Sequence, residues 1–478
     1  MSSRSLKRWI AFLPALALCA LVGTQKPAQG VPDGTHDRVR DPGSNSVTVP
    51  DSAGYLTVIF TDGRSLDTNN PFFQSLGTNG RTCNSCHKLE NAWSISPPLI
   101  RDLFRSSGGR DPLFNPVDGT NSPAADVSTI AARWRASGML LSKGLIRVGL
   151  PIPDGAEFTL ETVDDPYHFA SAGELSLFRR PLPSTNLRFL TGVMFDGRES
   201  TAPSTVPLNS RDENQYLADL IFDLKSQAEH ATLGHAQGNH PLSDEILSRI
   251  VDFELHTYTA QRFRWGTGLL DAFGAAGGPQ ALSTQRFYVS VNDPLGADKF
   301  GNLFNPGVFT AYDAWAGNWN PQREQIQRGQ ELFNTRQFDI TGVGGLNDAL
   351  GVTALRGTCS TCHDSPNVGN HSVPFPINIG TSDGSRRTPD LPLYTLRNKT
   401  TGVTVQTSDP GLALMSGHWR DIGKVKGPVL RGLAARAPYF HNGSAATLQD
   451  VVEFYMERFK VALSADEVRD LVAFLESL

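Results

Sequence analysis

A chain of 478 residues and 51.9 kDa is long enough for two domains with well-buried cores. With 19% charged residues, 45 glycines and 31 prolines it reads as a soluble, loop-rich chain and not as a helical bundle. The formal net charge of −5 becomes −9 once Arg4, Lys7, Arg8 and Lys26, the four cations of an acid-free leader, are removed; that disfavours nucleic acid as a partner and permits steering toward a basic redox protein.

Residues 1–30 read as a signal peptide, with Arg4, Lys7 and Arg8 ahead of the apolar run from Trp9 to Gly23 and a cleavage-like Ala28-Gln29-Gly30. The expected location is periplasmic or otherwise exported. Cys19 lies inside this leader and follows Leu18, where a lipidated cysteine wants a small residue, so a lipoprotein is disfavoured. The apolar run is short for a bilayer span and no later stretch replaces it, so no stable membrane span is expected.

Residues 31–68, rich in Asp, Gly, Pro and Ser, are expected to form an exposed N-terminal arm with His36 solvated. Asn70-Pro71 then opens a short helix with Phe72, Phe73 and Leu76 on one face and Gly77 closing it. This helix leads into Cys83-Asn84-Ser85-Cys86-His87, whose pattern recurs as Cys359-Ser360-Thr361-Cys362-His363.

Cysteines three apart on a helical turn present both sulfurs to one side. Each sulfur can add to a vinyl group of a haem, and the histidine that follows can reach the iron. Two motifs predict two covalently bound c-type haems, on Cys83, Cys86 and His87 and on Cys359, Cys362 and His363. Zinc and redox-dithiol sites also use paired cysteines. Here both pairs carry the histidine and lie 276 residues apart, from Cys83 to Cys359, whereas a zinc ribbon brings its pairs within a few tens of residues.

The stretch from Ser96 to Leu187 is proline-rich and alternates over Ala156–Val163, which predicts a strand or hairpin in a long insertion, about 98–187. Within it, Asp126–Lys143 is more helical, with Ile130, Ala131, Trp134, Leu140 and Leu141 as an apolar face. Tyr216–Gln237 starts as a helix, and Ser243–Arg262 reads as an amphipathic helix with Ile246, Ile250, Phe253 and Leu255 in the core. An N-terminal haem domain is therefore expected over 69–265, followed by a linker over 266–320 rich in Gly, Asn and Pro.

The C-terminal domain, 321–478, begins with a helix that puts Gly329 and Phe333 on one face. Its expected partner is the last helix, Ser464–Leu478, with a Ser464-x-x-Glu467 capping box and Val468, Leu471, Val472 and Leu475 on one side. Crossing first and last helices are what a class I cytochrome c fold needs. The expected fold class is mainly α: two class I cytochrome c-like haem domains with long loop and short β insertions.

The two Cys-x-x-Cys-His motifs, Phe195-Asp196-Gly197-Arg198 between them, and the C-terminal Gly427-Pro428-Val429-Leu430-Arg431 and Ala437-Pro438-Tyr439-Phe440-His441-Asn442-Gly443-Ser444 together resemble the bacterial di-haem cytochrome c peroxidases and MauG-like di-haem enzymes. The resemblance covers the haem motifs, residues 189–262 and most of 325–478; it does not explain 98–185. It implies one cytochrome c domain per haem and a site between them that often holds a calcium ion. It also implies one haem that reacts with peroxide or oxygen while the other passes or stores electrons from a small redox protein or other donor.

The chain departs from that family at three places. Phe195 stands where the family usually has a tryptophan relay. Gln237 stands where a catalytic glutamate is often found; it can hydrogen-bond a peroxide but cannot act as an ionised base, a role open to nearby His235 or His230. The register of Leu448, Val451, Val452 and Tyr455 puts Tyr455 on a buried stripe as the expected sixth ligand of the second haem, with Met456 the runner-up. Arg198 and Arg431 are candidates for pairing with haem propionates. His441 reads as structural or near propionates, and Trp93, Trp265 and Trp419 as packing residues.

The resemblance implies an exported oxidoreductase of the peroxidase or MauG-like type, with the N-terminal haem open to peroxide beside His235 and Gln237. The alternatives are a non-catalytic di-haem electron carrier, with His235 on the first iron, and a rubber-oxygenase-like enzyme, which a hydrophobic channel would favour.

Overall fold

A computed structural model of the protein describes residues 45–204, 206, 207 and 210–478. The signal peptide, Cys19 and His36 lie outside the described residues. The described residues belong to one compact unit.

The chain enters as an antiparallel hairpin, Ser46–Pro50 with Gly54–Phe60, and the second strand pairs with Thr257–Arg264 in a four-stranded sheet completed by Gly268–Leu269. The expectation of an exposed arm is thus corrected from residue 46 onward. Val47 and Val49 alternate with Thr48, and Leu56, Val58 and Phe60 are likewise buried on the sheet's core side. Asp51 forms the turn by accepting from the Ala53 and Gly54 amides at 2.9 and 2.7 Å. The polar residues that suggested an arm are largely those of turns.

Asn70 caps a single 3-10 turn, Pro71–Phe73, by accepting from the Phe72 amide at 3.0 Å. The turn ends at Gln74, before the expected Gly77. Phe72 and Phe73 pack edge-on against Trp93 and Phe253, fixing the segment just ahead of the first Cys-x-x-Cys-His motif.

The insertion contains the helix Pro97–Ser107, a broken helix Ile130–Ala136 and Gly138–Lys143, and the hairpin Ile146–Leu150 with Leu175–Arg179. The expected apolar face of the broken helix is only half right: Leu140 and Leu141 are buried, but Ile130 is 59% and Trp134 43% exposed. The interruption at Ser137 rotates the two pieces, so Ala132, Ala136 and Met139 take the inward positions. The strand over 156–163 is found as Phe158–Asp164, paired not locally but with Leu393–Asn398 of the C-terminal half.

The long helix Glu213–Gly234 packs on the helix Asp244–Leu255. The second was expected to continue to Arg262 but stops at Leu255, where Thr257 Oγ1 donates to the Phe253 carbonyl at 2.7 Å and the chain becomes the strand Thr257–Arg264. The β-branched and aromatic run Thr257-Tyr258-Thr259 suits that strand.

Residues 266–320 contain little regular structure but do not act as a loose linker: Leu270, Leu282, Val308, Phe309, Tyr312 and Trp315 are buried. Tyr312, Trp315 and Phe309 share a core with the helices Pro321–Thr335 and Ala465–Glu476. Those two helices cross at Gly329, as expected, where a Cβ would lie 2.0 Å from the Asp470 carbonyl oxygen. Ser464 and Glu467 form the expected capping box, and the Phe333 and Phe474 ring centroids lie 5.6 Å apart. The described residues hold eleven strands in four sheets beside the helices, more β-structure than expected, because the residues before 61, the insertion and the C-terminal region all contribute strands.

Candidate functional site: two matched cysteine-histidine cradles

Both Cys-x-x-Cys-His motifs adopt the same local fold. Each is a 3-10 turn, Cys83–Ser85 or Cys359–Thr361, held by a capping box from Thr82 and Ser85 or from Thr358 and Thr361. The histidine amide reaches back to the first cysteine carbonyl, at 3.0 Å for His87 and 3.1 Å for His363. None of these four cysteines forms a disulfide. Burial pushes the Cys83 thiol up to about 12 and Cys86 to about 11.

The histidines are oriented alike. Nδ1 of His87 lies 3.0 Å from the Trp93 carbonyl, and Nδ1 of His363 lies 2.6 Å from the Gly369 carbonyl. A carbonyl only accepts, so each Nδ1 carries the hydrogen and each Nε2 keeps a lone pair for a metal. Burial lowers both imidazoles, His87 to about 4, so both are neutral ligands at ordinary pH.

Each motif opens onto a cavity. The first is bordered by Cys83, Cys86, His87, Leu224, Ala228 and His235; the second by Cys359, Cys362, His363, Leu448, Val452, Tyr455 and Met456. Phe195, Arg180, Pro181, Leu182, Pro183 and Lys426 border both and make the partition between them. Phe195 therefore stands between the cradles, its ring centroid 5.9 Å from that of His441. The segment around it is held by Asp196, buried between Arg179 at 2.5 Å and Arg198 at 3.0 Å; Arg179 also binds Asp409 at 2.7 Å. Burial raises the Asp196 carboxyl, but Arg179 and Arg198 outweigh it and leave the group at about 2.

The cavities fit c-type haem. Two thiols and one imidazole lone pair converge on each, and the walls carry cations for which no carboxylate partner is found among the described residues. Arg180 donates only to the Lys143, Ile95 and Arg436 carbonyls, Lys426 to the Gly192 carbonyl, and Arg436 to the Val429 carbonyl, with its Nε unpartnered. Burial lowers Arg180 to about 9, Arg436 to about 10 and Lys426 to about 8. Haem propionates would supply the missing anions.

Arg198 borders the first cavity, as expected of a propionate partner, although it already pairs with Asp196. Arg431 does not border either cavity: its Nε and Nη2 donate to the Asn367 carbonyl at 2.8 and 2.6 Å. Arg436, five residues on, reaches the second cavity instead. Neither Arg180 nor Arg436 was singled out from sequence, and only their lack of carboxylates in the folded state marks them.

His235 borders the first cavity with His87, as expected. Its Nδ1 hydrogen-bonds Asp118, whose other carboxylate oxygen binds Arg81. Burial raises the Asp118 carboxyl, but the hydrogen bond and charge of His235 and the Arg81 cation outweigh it and lower the group. Gln237 lines the outer cleft with His235 but does not border the first cavity. Its backbone turns to φ +53°, the side chain is exposed, and Oε1 accepts from Asn79 at 3.2 Å. The helix ends at Gly234, so helical spacing no longer holds for Gln237. His230 pairs with Glu199 at 3.0 Å in an outer cleft lined by Asp118, Arg147, Glu174, Arg198 and His235, which adjoins the first cavity.

Tyr455 and Met456 both border the second cavity, and no hydrogen bond to the Tyr455 hydroxyl is found among the described residues. Tyr455 packs with Cys359, Cys362 and Phe459, Met456 with Leu448, Val452 and Leu471. His441 is buried beside the same cavity, 3.2 Å from Ser382 Oγ. Trp93 is fully buried and its carbonyl orients His87, whereas Trp265 is 53% exposed. Among the described residues, no group of three or more His, Cys, Asp or Glu is placed to hold a metal ion, and no helix is long and apolar enough to cross a membrane.

No family model matches the chain. It is 27% identical over 235 residues to cytochrome-c peroxidase IdrP1 of Pseudomonas sp. (strain SCT), a match covering 43% of this chain and 59% of the relative. It is 32% identical over 210 residues to cytochrome-c peroxidase IdrP2 of Denitromonas iodatirespirans, covering 42% and 55%. The chain thus spans little more than half the length of these curated relatives. Among solved structures, a MauG-like protein associated with microbial copper homeostasis aligns over 85% of this chain and 87% of its own at 16% identity, with a TM-score of 0.35.

Proposed function

This chain is related to the bacterial cytochrome c peroxidases, and from that premise we propose that it is an exported di-haem peroxidase or MauG-like oxidoreductase. It would reduce peroxide at the cavity over His87 with electrons from a small redox protein or other donor entering through the haem on His363. The observation that carries this reading is the asymmetry of two otherwise matched cradles. The first cavity holds His235, tied to the Asp118 carboxylate, and shares that histidine with a polar outer cleft; the second, bordered by Tyr455, Met456, His371 and His441, shares no lining residue with that cleft.

Bound haem would supply iron that exchanges electrons with peroxide, so that H2O2, two electrons and two protons give two waters. The residues of the chain do the rest. His87 and His363 present neutral Nε2 atoms, each held by a backbone carbonyl. His235 takes the proton from one peroxide oxygen and delivers it to the other, which leaves as water. Arg180, Lys426 and Arg436 hold the carboxylates of the cofactors near the partition. Phe195 is hard to oxidise, so electrons cross the partition without a residence on its ring. Tyr455 would be the residue that ligates the iron of the second site, with Met456 next in order, and the crossing helices at Gly329 support a cytochrome c-like C-terminal domain.

The charged groups of the outer cleft suit a small polar oxidant. Absorption and electron paramagnetic resonance spectra of the haem-loaded protein, titrated with peroxide, test the reading. Loss of a high-spin ferric signal is expected, with Tyr455→Phe altering only the second haem. Two low-spin haems indifferent to peroxide before and after one-electron reduction would leave a di-haem electron carrier.

A further inference from the structure

Asp118 belongs to the insertion that neither haem motif accounts for, yet it lines the outer cleft and holds His235, which borders the first cavity. Its position is built from three sides. Arg81, two residues before Cys83, donates through Nε to the Pro112 carbonyl at 2.7 Å and through Nη2 to the Leu113 carbonyl at 2.9 Å, leaving Nη1 for the Asp118 carboxylate. The Arg147 amide donates to the Asp118 carbonyl at 2.9 Å. On the other side, the His235 carbonyl accepts from Asn79 Nδ2 at 2.8 Å and from Arg81 Nη1 at 3.2 Å, so the end of the helix Glu213–Gly234 is tied to the same cluster.

The chemistry follows from donor and acceptor roles. A carboxylate beside a guanidinium stays ionised and can only accept, so the shared hydrogen sits on Nδ1 of His235. No partner for Nε2 is found among the described residues, and His235 borders both the His87 cavity and the outer cleft.

We propose that Asp118 is a positioning residue: locked by Arg81, it holds Nδ1–H of His235 and so turns the Nε2 lone pair toward the cavity over His87. Its consequence for peroxide rests on the function proposed above. With Nε2 free, the ring accepts a proton from one peroxide oxygen and returns it to the departing one, and no external base is consumed.

Two measurements on the holoprotein separate the two readings. In the reduced, carbon monoxide-saturated, ¹⁵N-histidine-labelled protein, His235 is assigned by the signal lost in His235→Ala. Wild type is expected to show a protonated Nδ1 and an unprotonated Nε2, and Asp118→Asn to lose that preference, with Asp118→Glu restoring it. A proton on Nε2 in wild type would overturn the proposal without recourse to any variant. The second measurement is the rate of peroxide consumption: Asp118→Asn should lower kcat/KM for hydrogen peroxide by about 10²–10⁴-fold, the range general acid–base catalysis supplies. The double variant with His235→Ala should be no slower than His235→Ala alone. Multiplying losses in the double variant would overturn the positioning role. Wild type with the expected tautomer but no peroxide turnover would instead sink the peroxidase reading and leave Asp118 as the residue that orients His235.

Discussion

Gly329 is where the first and last helices of the C-terminal region touch, and Gly329→Ala tests whether that contact organises the second cradle. An alanine Cβ would sit 2.0 Å from the Asp470 carbonyl oxygen and 2.7 Å from the Phe474 Cβ. Close carbon–oxygen contacts run at about 3.3 Å, so the helices must part by about 1 Å. A gap of that size forfeits a quarter to a half of the dispersion energy at each contact it opens, here among Ile326, Phe333, Leu471 and Phe474. Overpacking of this kind costs about 1–3 kcal/mol or more, and alanine's better helix propensity returns at most about 1 kcal/mol. A net loss is expected, read by urea unfolding of the holoprotein. The haem on His363 should report it too, because Phe333 lies one turn on with its ring centroid 5.9 Å from that of His363. Gly234→Ala is the control, since nothing lies within 4 Å of its added Cβ. If Gly329→Ala matches wild type, or if both alanine variants gain stability alike, the close crossing does not carry the packing attributed to it.

Three other outcomes are expected. The pair of substitutions Cys83→Ser and Cys86→Ser should leave one covalent haem per chain by intact mass, carried by Cys359 and Cys362, whereas retention of two would break the assignment of the first cradle. Asp196→Asn leaves Arg179 and Arg198 with less compensation in a buried network and should cost about 3–5 kcal/mol. In wild type the Asp196 carboxyl sits at about 2, below its unfolded value of 3.8, so its contribution is present above pH 4 and lost as pH falls through 2; acid unfolding of the variant should lack that component. Glu254, buried beside the first cavity, has the opposite sign. Burial raises its carboxyl from 4.5 to about 8, so the folded state binds the extra proton between those values and stability falls as pH rises through them. Glu254→Gln should remove that slope, and an unchanged pH profile from 5 to 8 in urea unfolding would refute the assignment.

The outer cleft gives the function its chemical bias. Its lining of Asp118, Glu174, Glu199, Arg147, Arg198 and His230 is charged, and most of these groups pair within the protein. Beside these charged groups the cleft also carries Val117, Val148, Leu150 and Met194, and His235 connects it to the cavity over His87.

Where a feature depended on neighbours in sequence, reading it there was enough. Cysteine spacing defined both cradles, the Ser464-x-x-Glu467 box defined the last helix, and Gly329 on a helical face anticipated a close crossing, because 3-10 and helical geometry act over three or four residues. The hairpin at 46–60 was read as an arm because its strands are stable only when Thr257–Arg264, some two hundred residues later, pairs with them. Gln237 lines the outer cleft but not the first cavity, because the helix ends at Gly234 and the chain turns at Gln237.

The sequence by itself pointed to haem and set out two attachment motifs, each with a candidate histidine ligand, since each rests on chemistry within five consecutive residues. Only the tertiary structure decided that Asp118 meets His235 across 117 positions, that Arg436 and not Arg431 faces the second cavity, and that Arg180 and Lys426 lack carboxylates in the wall around Phe195. Those facts depend on which distant backbone segments exclude water together, and burial decides what a charged side chain needs only after the chain has folded around it.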